Sequence, residues 1–262
     1  MREMAERAWF VLARALGGML RSARYSEVRI VSSSGVHEVR KRRRPWAPIL
    51  VALGAPLVRV LDTGVRVLPR REWEAREGAM YRDVHGAAVR AEADGTLVLP
   101  HLGGETLASI LDDAEVDGTE RARAIELAAV ALADFHARGF SHGDAMAENV
   151  VVDLDAGVAR WFDFETVHDA RRSIDWRRAD DLRALLATCL LRTERAALAE
   201  TIARVLDAYG DDRLTPLVAA SFVTPLRRAL IFHLGQAPLD YRTFREIGRV
   251  LGVRVGEGSG RG

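Results

Sequence analysis

One cysteine, one lysine, no long apolar run and no excess of either charge: each scarcity in this chain excludes a class of explanation. A lone cysteine, Cys189, rules out an internal disulfide framework and any cysteine-based zinc site. It lies in the apolar run Ala187-Thr188-Cys189-Leu190-Leu191, where a free thiol is expected to serve as a small core residue. No apolar stretch approaches the roughly 20 residues that span a bilayer. The N-terminal run 8–20 is broken by Arg14 and Gly17-Gly18 and lacks the cationic start and cleavage site of a signal peptide, so a cytoplasmic protein is expected. Lys plus Arg number 38 against 37 Asp plus Glu, which gives no electrostatic case for nucleic acid, and no nucleic-acid partner is expected. All the basic residues but Lys41 are arginine, so a role that demands a lysine can fall only there. What the chain does have is 48% hydrophobic residues, ample for a buried core.

Periodicity divides the chain. Residues 3–22 place Trp9, Leu12, Ala13, Leu16 and Leu20 at helical spacing, and Gly17-Gly18 is expected to end or kink this helix. Its apolar face reads either as a docking surface on the core or as a membrane-surface helix, the latter giving peripheral contact at the inner membrane. Segments 28–31 and 36–39 flank Ser32-Ser33-Ser34-Gly35 as two antiparallel strands, with Lys41 at the end of the second. The basic run 41–44 reads as a solvated strand end or loop, or as a patch for nucleic acid or phospholipid. Pro45, Pro48, Gly54 and Pro56 keep any helix after it short. A helix over 69–84 and a hairpin of 88–92 with 96–99 about Asp94-Gly95 follow.

After Pro100 the pattern turns helical. Short and long helices are expected over 106–112 and 119–138, with Thr119 as the candidate N-cap and Gly139 at the stop. Strands 150–152 and 160–162 turn about Asp155-Ala156-Gly157, and helices follow over 178–191, 194–209, 216–235 and 241–251. The organisation is therefore an N-terminal helix (1–25), a strand-rich part (26–100), a helix-rich part (101–255) and a flexible glycine-rich tail (256–262), an α+β chain without internal repeats.

Phosphoryl transfer needs an orienter for the attacking hydroxyl, oxygen ligands for Mg2+ and a cation on the phosphates. Each has a candidate. In His142-Gly143-Asp144-Ala145-Met146-Ala147-Glu148-Asn149, Asp144 can orient a hydroxyl while Asn149, five residues on, binds metal. Asp163 ends a strand in Trp161-Phe162-Asp163-Phe164-Glu165, and a hairpin of this size can return it beside Asn149.

In this order the residues resemble the protein-kinase superfamily. Phe140-Ser141-His142-Gly143-Asp144 followed by Asn149-Val150-Val151-Val152-Asp153 resembles its catalytic loop and following strand. Asp163-Phe164-Glu165 is similar to its Asp-Phe-Gly metal motif, with Glu in place of Gly. The run from Leu97 through His101-Leu102-Gly103-Gly104 to Leu107 resembles the hinge between lobes. Lys41 resembles the strand lysine, and Glu77, preferred over Glu72 and Glu74, its helix partner. The resemblance implies a two-lobed protein-kinase-like fold with a β-rich N-lobe and a helical C-lobe. It implies ATP held by Lys41, Glu77, Leu99, His101 and Leu102, Mg2+ on Asn149 and Asp163, and Asp144 as the catalytic residue. His142 takes a structural role, and Asp181, rather than Asp180, holds the loop backbone from below.

Three departures narrow the resemblance. No glycine-rich loop precedes Lys41 beyond Gly35, and no lysine or arginine stands between Asp144 and Asn149, where Met146 sits. About eighteen residues separate Asp163 from Asp181 without an Ala-Pro-Glu element, leaving no room for a long peptide-binding segment. The chain is thus most similar to the short-segment branches, the lipopolysaccharide Kdo or heptose kinases and the RIO-type kinases. The implied activity is an ATP-dependent kinase acting on a hydroxyl-bearing acceptor, a sugar or lipid-linked saccharide before a peptide. The alternatives are an atypical protein Ser/Thr kinase and a pseudokinase that serves as a binding scaffold.

Overall fold

The computed structural model describes residues 2–22, 26–33, 36–47, 60–223 and 225–259. The N-terminal elements are α1 (Arg2–Ser22), β1 (Ser26–Ser33), β2 (Val36–Arg43), β3 (Val65–Val67), α2 (Arg70–His85), β4 (Arg90–Ala91) and β5 (Leu97–Pro100). There follow β6 (Glu105–Thr106), α3 (Leu107–Asp112), α4 (Gly118–Ala137), β7 (Val150–Asp153), β8 (Val158–Trp161) and β9 (Thr166–His168). The chain closes with α5 (Ile174–Leu190), α6 (Leu198–Tyr209), α7 (Thr215–Val223), α8 (Leu230–Gln236) and α9 (Tyr241–Ser259). The architecture is α+β, mostly helical with small antiparallel sheets. The turn at Ser34-Gly35, the residues Pro48, Gly54 and Pro56, and positions 260–262 lie outside the described residues.

A four-stranded sheet of order β1-β2-β5-β4 carries Lys41 opposite Val28 on one side and Leu97 on the other. Strand alternation corrects the reading of the basic run as solvated. Lys41 and Arg43 are buried while Arg42 between them is exposed, and the guanidinium of Arg43 sits 5.0 Å from the centre of the buried Trp73 ring on α2. The expected strands about Asp155-Ala156-Gly157 pair as β7 and β8, to which β6 adds a third strand that periodicity did not show, and the pairing of β3 with β9 was not legible either.

Helix α4 starts earlier than Thr119 because Asp117 and Glu120 form a capping box, each side chain accepting from the other's backbone N–H. The expected helix 216–235 is two helices, α7 and α8, with Pro225 in the break, where the ring and missing N–H oppose helical continuation. Helix α9 runs on to Ser259, so the residues from Gly256 continue a helix and do not start a free tail. Helix α1 passes unbroken through Gly17-Gly18. Gly17 serves a crossing instead: a Cβ there would lie 2.5 Å from the Ile231 carbonyl oxygen and 2.6 Å from the Gly235 nitrogen, so α1 and α8 meet backbone to backbone.

The inner side of α1 docks on the core, with Phe10 edge-on to Tyr241 and Phe244 at 5.4 and 5.3 Å, while Met4, Val11 and Met19 are exposed. One apolar cluster runs from Phe10 through Leu97, Leu132, Phe164 and Leu185 to Ile247, and Cys189 lies inside it. No described helix is long and apolar enough to cross a membrane.

Candidate active site

Lys41 is 3% exposed, and a lysine can be buried there because three carboxylates surround its ammonium. Its Nζ donates to Asp163 Oδ1 at 2.6 Å and stands 3.1 Å from Glu165 Oε1 and 3.3 Å from Glu77 Oε1. Burial alone would lower the lysine pKa, but the charges of Asp163, Glu77 and Glu165 outweigh it and hold the pKa well above the ordinary value. Of the three glutamates on α2, only Glu77 is buried; Glu72 pairs with Arg66 and Glu74 with Arg70 at the surface. Burial pushes Glu77 up to about 7 against the pull of Lys41. Its second oxygen accepts the Phe164 N–H at 3.1 Å, so one carboxylate ties the sheet lysine to the segment after β8.

Asp163 has φ +66°, a left-handed conformation that costs a non-glycine residue on the order of 1 kcal/mol. The neighbouring contacts hold it there: Lys41 on its side chain, and Phe164 locked by Glu77 and stacked on Phe135 at 5.9 Å.

The loop after α4 is held from beneath. The Asp181 carboxylate, 1% exposed on α5, accepts the His142 N–H at 2.7 Å and the Gly143 N–H at 2.8 Å. Gly143 is at φ +85°, which a side chain would strain. His142 is buried, its pKa lowered to about 4 by burial, so the ring is neutral. Its Nε2 donates to the Phe162 carbonyl at 2.9 Å and its Nδ1 accepts the Asp144 N–H at 3.3 Å, a bridging and not a reacting position. Asn149 donates through Nδ2 to the Asp144 backbone carbonyl at 2.8 Å and to its Oδ2 at 3.3 Å. The Phe162 N–H donates to the Asn149 carbonyl at 2.9 Å, which fixes the Asp163 strand against the loop. Asp144 is raised to about 7, chiefly by burial, with a hydrogen bond from Gln236 opposing and the charge of Asp163 adding to the rise.

Lys41, Glu77, Leu99, His101, Leu102 and Asp163 all line one cleft of about 460 Å³ between the sheet and the β6-β7-β8 ladder, with Val28, Val39, Val151 and Phe162 as its apolar walls. Its volume lies within the range of small-molecule sites. The backbone of the linker is only partly free to receive a ligand. The His101 N–H already reaches the His37 carbonyl at 3.4 Å and the Leu102 carbonyl accepts from Arg160 at 3.1 Å, whereas the Leu102 N–H has no partner among the described residues.

Two side chains at the site escaped the sequence. Glu165, standing where the metal motif has glycine, accepts from Ser26 Oγ at 2.5 Å and lies 3.5 Å from Arg43 Nη2 as well as beside Lys41. Gln236, ninety-two residues from Asp144, donates to its Oδ1 at 2.7 Å. A compositional signal for Gln236 existed: the chain has one lysine, one asparagine and one glutamine, and all three end here.

Among the described residues no group of three or more His, Cys, Asp or Glu could hold a metal alone. The donor set nonetheless fits Mg2+, which keeps several waters and binds through one or two protein oxygens plus substrate phosphates. Asp163 supplies a half-exposed carboxylate, and Asn149 Oδ1 accepts no hydrogen bond among the described residues. No protein-family model matches the chain, and no curated protein matches it.

Proposed function

We propose that the chain is an ATP-dependent phosphotransferase with a two-lobed, protein-kinase-like fold, which transfers the γ-phosphate to the hydroxyl of a sugar or lipid-linked saccharide. The observation that carries this reading is the convergence of Lys41, Glu77 and Asp163 on one cleft wall, joined through Phe162 to the Asp144–Asn149 pair. Lys41 is the cation for the nucleotide phosphates, and Glu77 holds it from a buried position. Mg2+, held by Asp163 and Asn149, would neutralise charge that develops on the phosphates. Asp144, with its pKa near 7, can take the proton of an acceptor hydroxyl near neutral pH while Asn149 and Gln236 fix its two oxygens.

A non-peptide acceptor is favoured by the segment after Asp163. It forms β9 against β3 within a few residues and enters α5 at Ile174, so no extended platform for a peptide remains.

Purified full-length chain with labelled ATP and Mg2+, offered sugars, lipid extracts and basic proteins, is expected to transfer phosphate or hydrolyse ATP. Asp163→Ala should lower the rate by about two orders of magnitude or more. Equal activity in that variant overturns the assignment. Mg-ATP should also raise the melting temperature, and no shift at millimolar nucleotide would favour a binding scaffold.

A further inference from the structure

Helix α5 reaches Asp144 by two routes. Asp181 holds the backbone of the loop through the His142 and Gly143 N–H groups. Two residues further along, Arg183 reaches the Asp144 side chain through one intermediate, the amide of Gln236 on α8. The loop has no cation of its own for this purpose: between Asp144 and Asn149 stand Ala145, Met146, Ala147 and Glu148.

Arg183 is 2% exposed and Gln236 5%, so the polar groups of both need partners within the fold. Asp180, one turn before Arg183 on the same face of α5, accepts from Arg183 Nε at 3.0 Å, and its other oxygen lies 3.4 Å from His168 Nε2. The guanidinium is planar, so fixing Nε on Asp180 also fixes the direction of Nη2, which donates to Gln236 Oε1 at 2.7 Å. Arginine carries no acceptor. It can face only the oxygen of the amide, which leaves the nitrogen for Asp144, where Nε2 donates to Oδ1 at 2.7 Å. A reversed amide would set its oxygen against a carboxylate oxygen and its N–H against a guanidinium, two repulsive contacts in place of two hydrogen bonds. Asn149 Nδ2 donates to Oδ2 at 3.3 Å, so an amide holds each oxygen of the carboxylate.

We infer that Arg183 is a positioning residue: it dictates the orientation of the Gln236 amide and through it sets the direction of the Asp144 carboxylate. That this carboxylate meets an acceptor hydroxyl rests on the phosphotransferase reading above; the ordering of Asp144 by Arg183 does not. A buried arginine paired with an aspartate of its own helix is by itself a structural ion pair. Here the second arm of the fork leads on to Asp144. A lysine would keep the charge for Asp180 but has one nitrogen in place of two fixed in direction, so Arg183→Lys separates the two roles.

One arm of the test needs no activity. Gln236 and Asn149 are the chain's one glutamine and one asparagine, so a nitrogen–proton correlation spectrum of the isotope-labelled, full-length chain holds one pair of side-chain amide signals from each, and both groups sit on Asp144. Gln236→Leu assigns them by removing one pair. In Arg183→Lys both pairs are expected to move, that of Gln236 because it loses its partner and that of Asn149 because Asp144 turns. Should Arg183→Lys not fold, Asp180→Asn/Arg183→Met removes both buried charges together and leaves neither uncompensated, with the same expectation. The other arm is kinetic. Arg183→Lys should lower kcat about tenfold or more while the KM for ATP stays within about twofold, and in the Gln236→Leu background the same substitution should cost less than about twofold. A purely structural ion pair would cost the same in both backgrounds. Movement of the Gln236 pair alone, movement of neither pair, or equal kinetic cost in the two backgrounds overturns the inference. Two moving pairs in a chain that neither transfers phosphate nor hydrolyses ATP would sink the phosphotransferase reading and leave the positioning role standing. An active chain whose Asn149 signals stay still would remove the positioning role alone.

Discussion

Asp181→Ala tests the buried carboxylate that holds the loop after α4 from beneath. The carboxylate is buried and accepts the His142 and Gly143 N–H groups and, at 3.0 Å, His136 Nε2. Truncation leaves two backbone donors without an acceptor in a dry site, at about 1–3 kcal/mol each. It also removes the counter-charge of His168, which lies 3.7 Å away and whose pKa is raised by Asp181 and Asp180 against burial. The expected loss is about 3–5 kcal/mol, a large share of a typical folding free energy of about 5–15 kcal/mol. Thr188→Val is the internal comparison: Thr188 Oγ1 accepts the Ala147 N–H at 3.0 Å and donates to the Ala184 and Leu185 carbonyls at 2.8 and 3.0 Å, all neutral contacts, and the one loop N–H left without an acceptor should cost about 1–2 kcal/mol. Urea unfolding followed by tryptophan fluorescence measures both. The Asp181 pKa lies below the usual aspartate range because His168 and His136 overcome the effect of burial. A depressed carboxylate contributes stability above its unfolded pKa and loses it as pH falls through the folded one. The gap between wild type and Asp181→Ala should therefore close in acid, below the ordinary aspartate pKa. A loss under about 1 kcal/mol at pH 7, or a loss no greater than that of Thr188→Val, would refute the claim that this carboxylate holds the loop.

Two further predictions use the same elements. The bond from Gln236 lowers the Asp144 pKa, so Gln236→Leu should raise the midpoint of the kcat/KM pH profile from about 7 by about one unit, losing rate at pH 7 and regaining it in alkali; an unmoved midpoint would separate Gln236 from the chemistry. Gly17→Ala drives a methyl into the backbone of α8 and should cost about 1–3 kcal/mol in thermal unfolding. Gly18→Ala, with nothing within 4 Å of the added carbon, should instead gain up to about 1 kcal/mol from helix propensity, and equal melting temperatures would deny the tight crossing.

What the sequence revealed depended on how local the cause was. Helix α2 is announced by Pro69 and a charged, helix-forming run, and β1 and β2 by β-branched alternation about a serine-glycine turn. The Asp144–Asn149 pair could be read because both residues lie in one loop of fixed spacing, and Lys41 because no other lysine exists. Glu77 was preferred over Glu72 and Glu74 only by resemblance, since a glutamate three residues away shares its side of the helix, and it is the fold that buries Glu77 and leaves the other two on surface arginines. Elements set by distant partners were not readable. Strands β3 and β9 are three residues each and pair across about a hundred positions, with no periodicity long enough to betray them. Glu165 and Gln236 reach the site only through the tertiary fold, and Gly17 looked like a helix breaker because the helix it fits against is more than two hundred residues away. Asp117 was overlooked as a cap because its partner Glu120 had to be considered with it.

Lys41 also makes the chain its own reporter. It is the one side-chain amine present, so an acylating reagent directed at amines can mark that residue and the amino terminus and nothing else. Held protonated by its carboxylates, the amine is a poor nucleophile at neutral pH, and Asp163 is the strongest of those restraints. Whatever draws Asp163 away lets burial lower the amine's pKa, and the speed of acylation at this one atom then reads out how the cleft is filled.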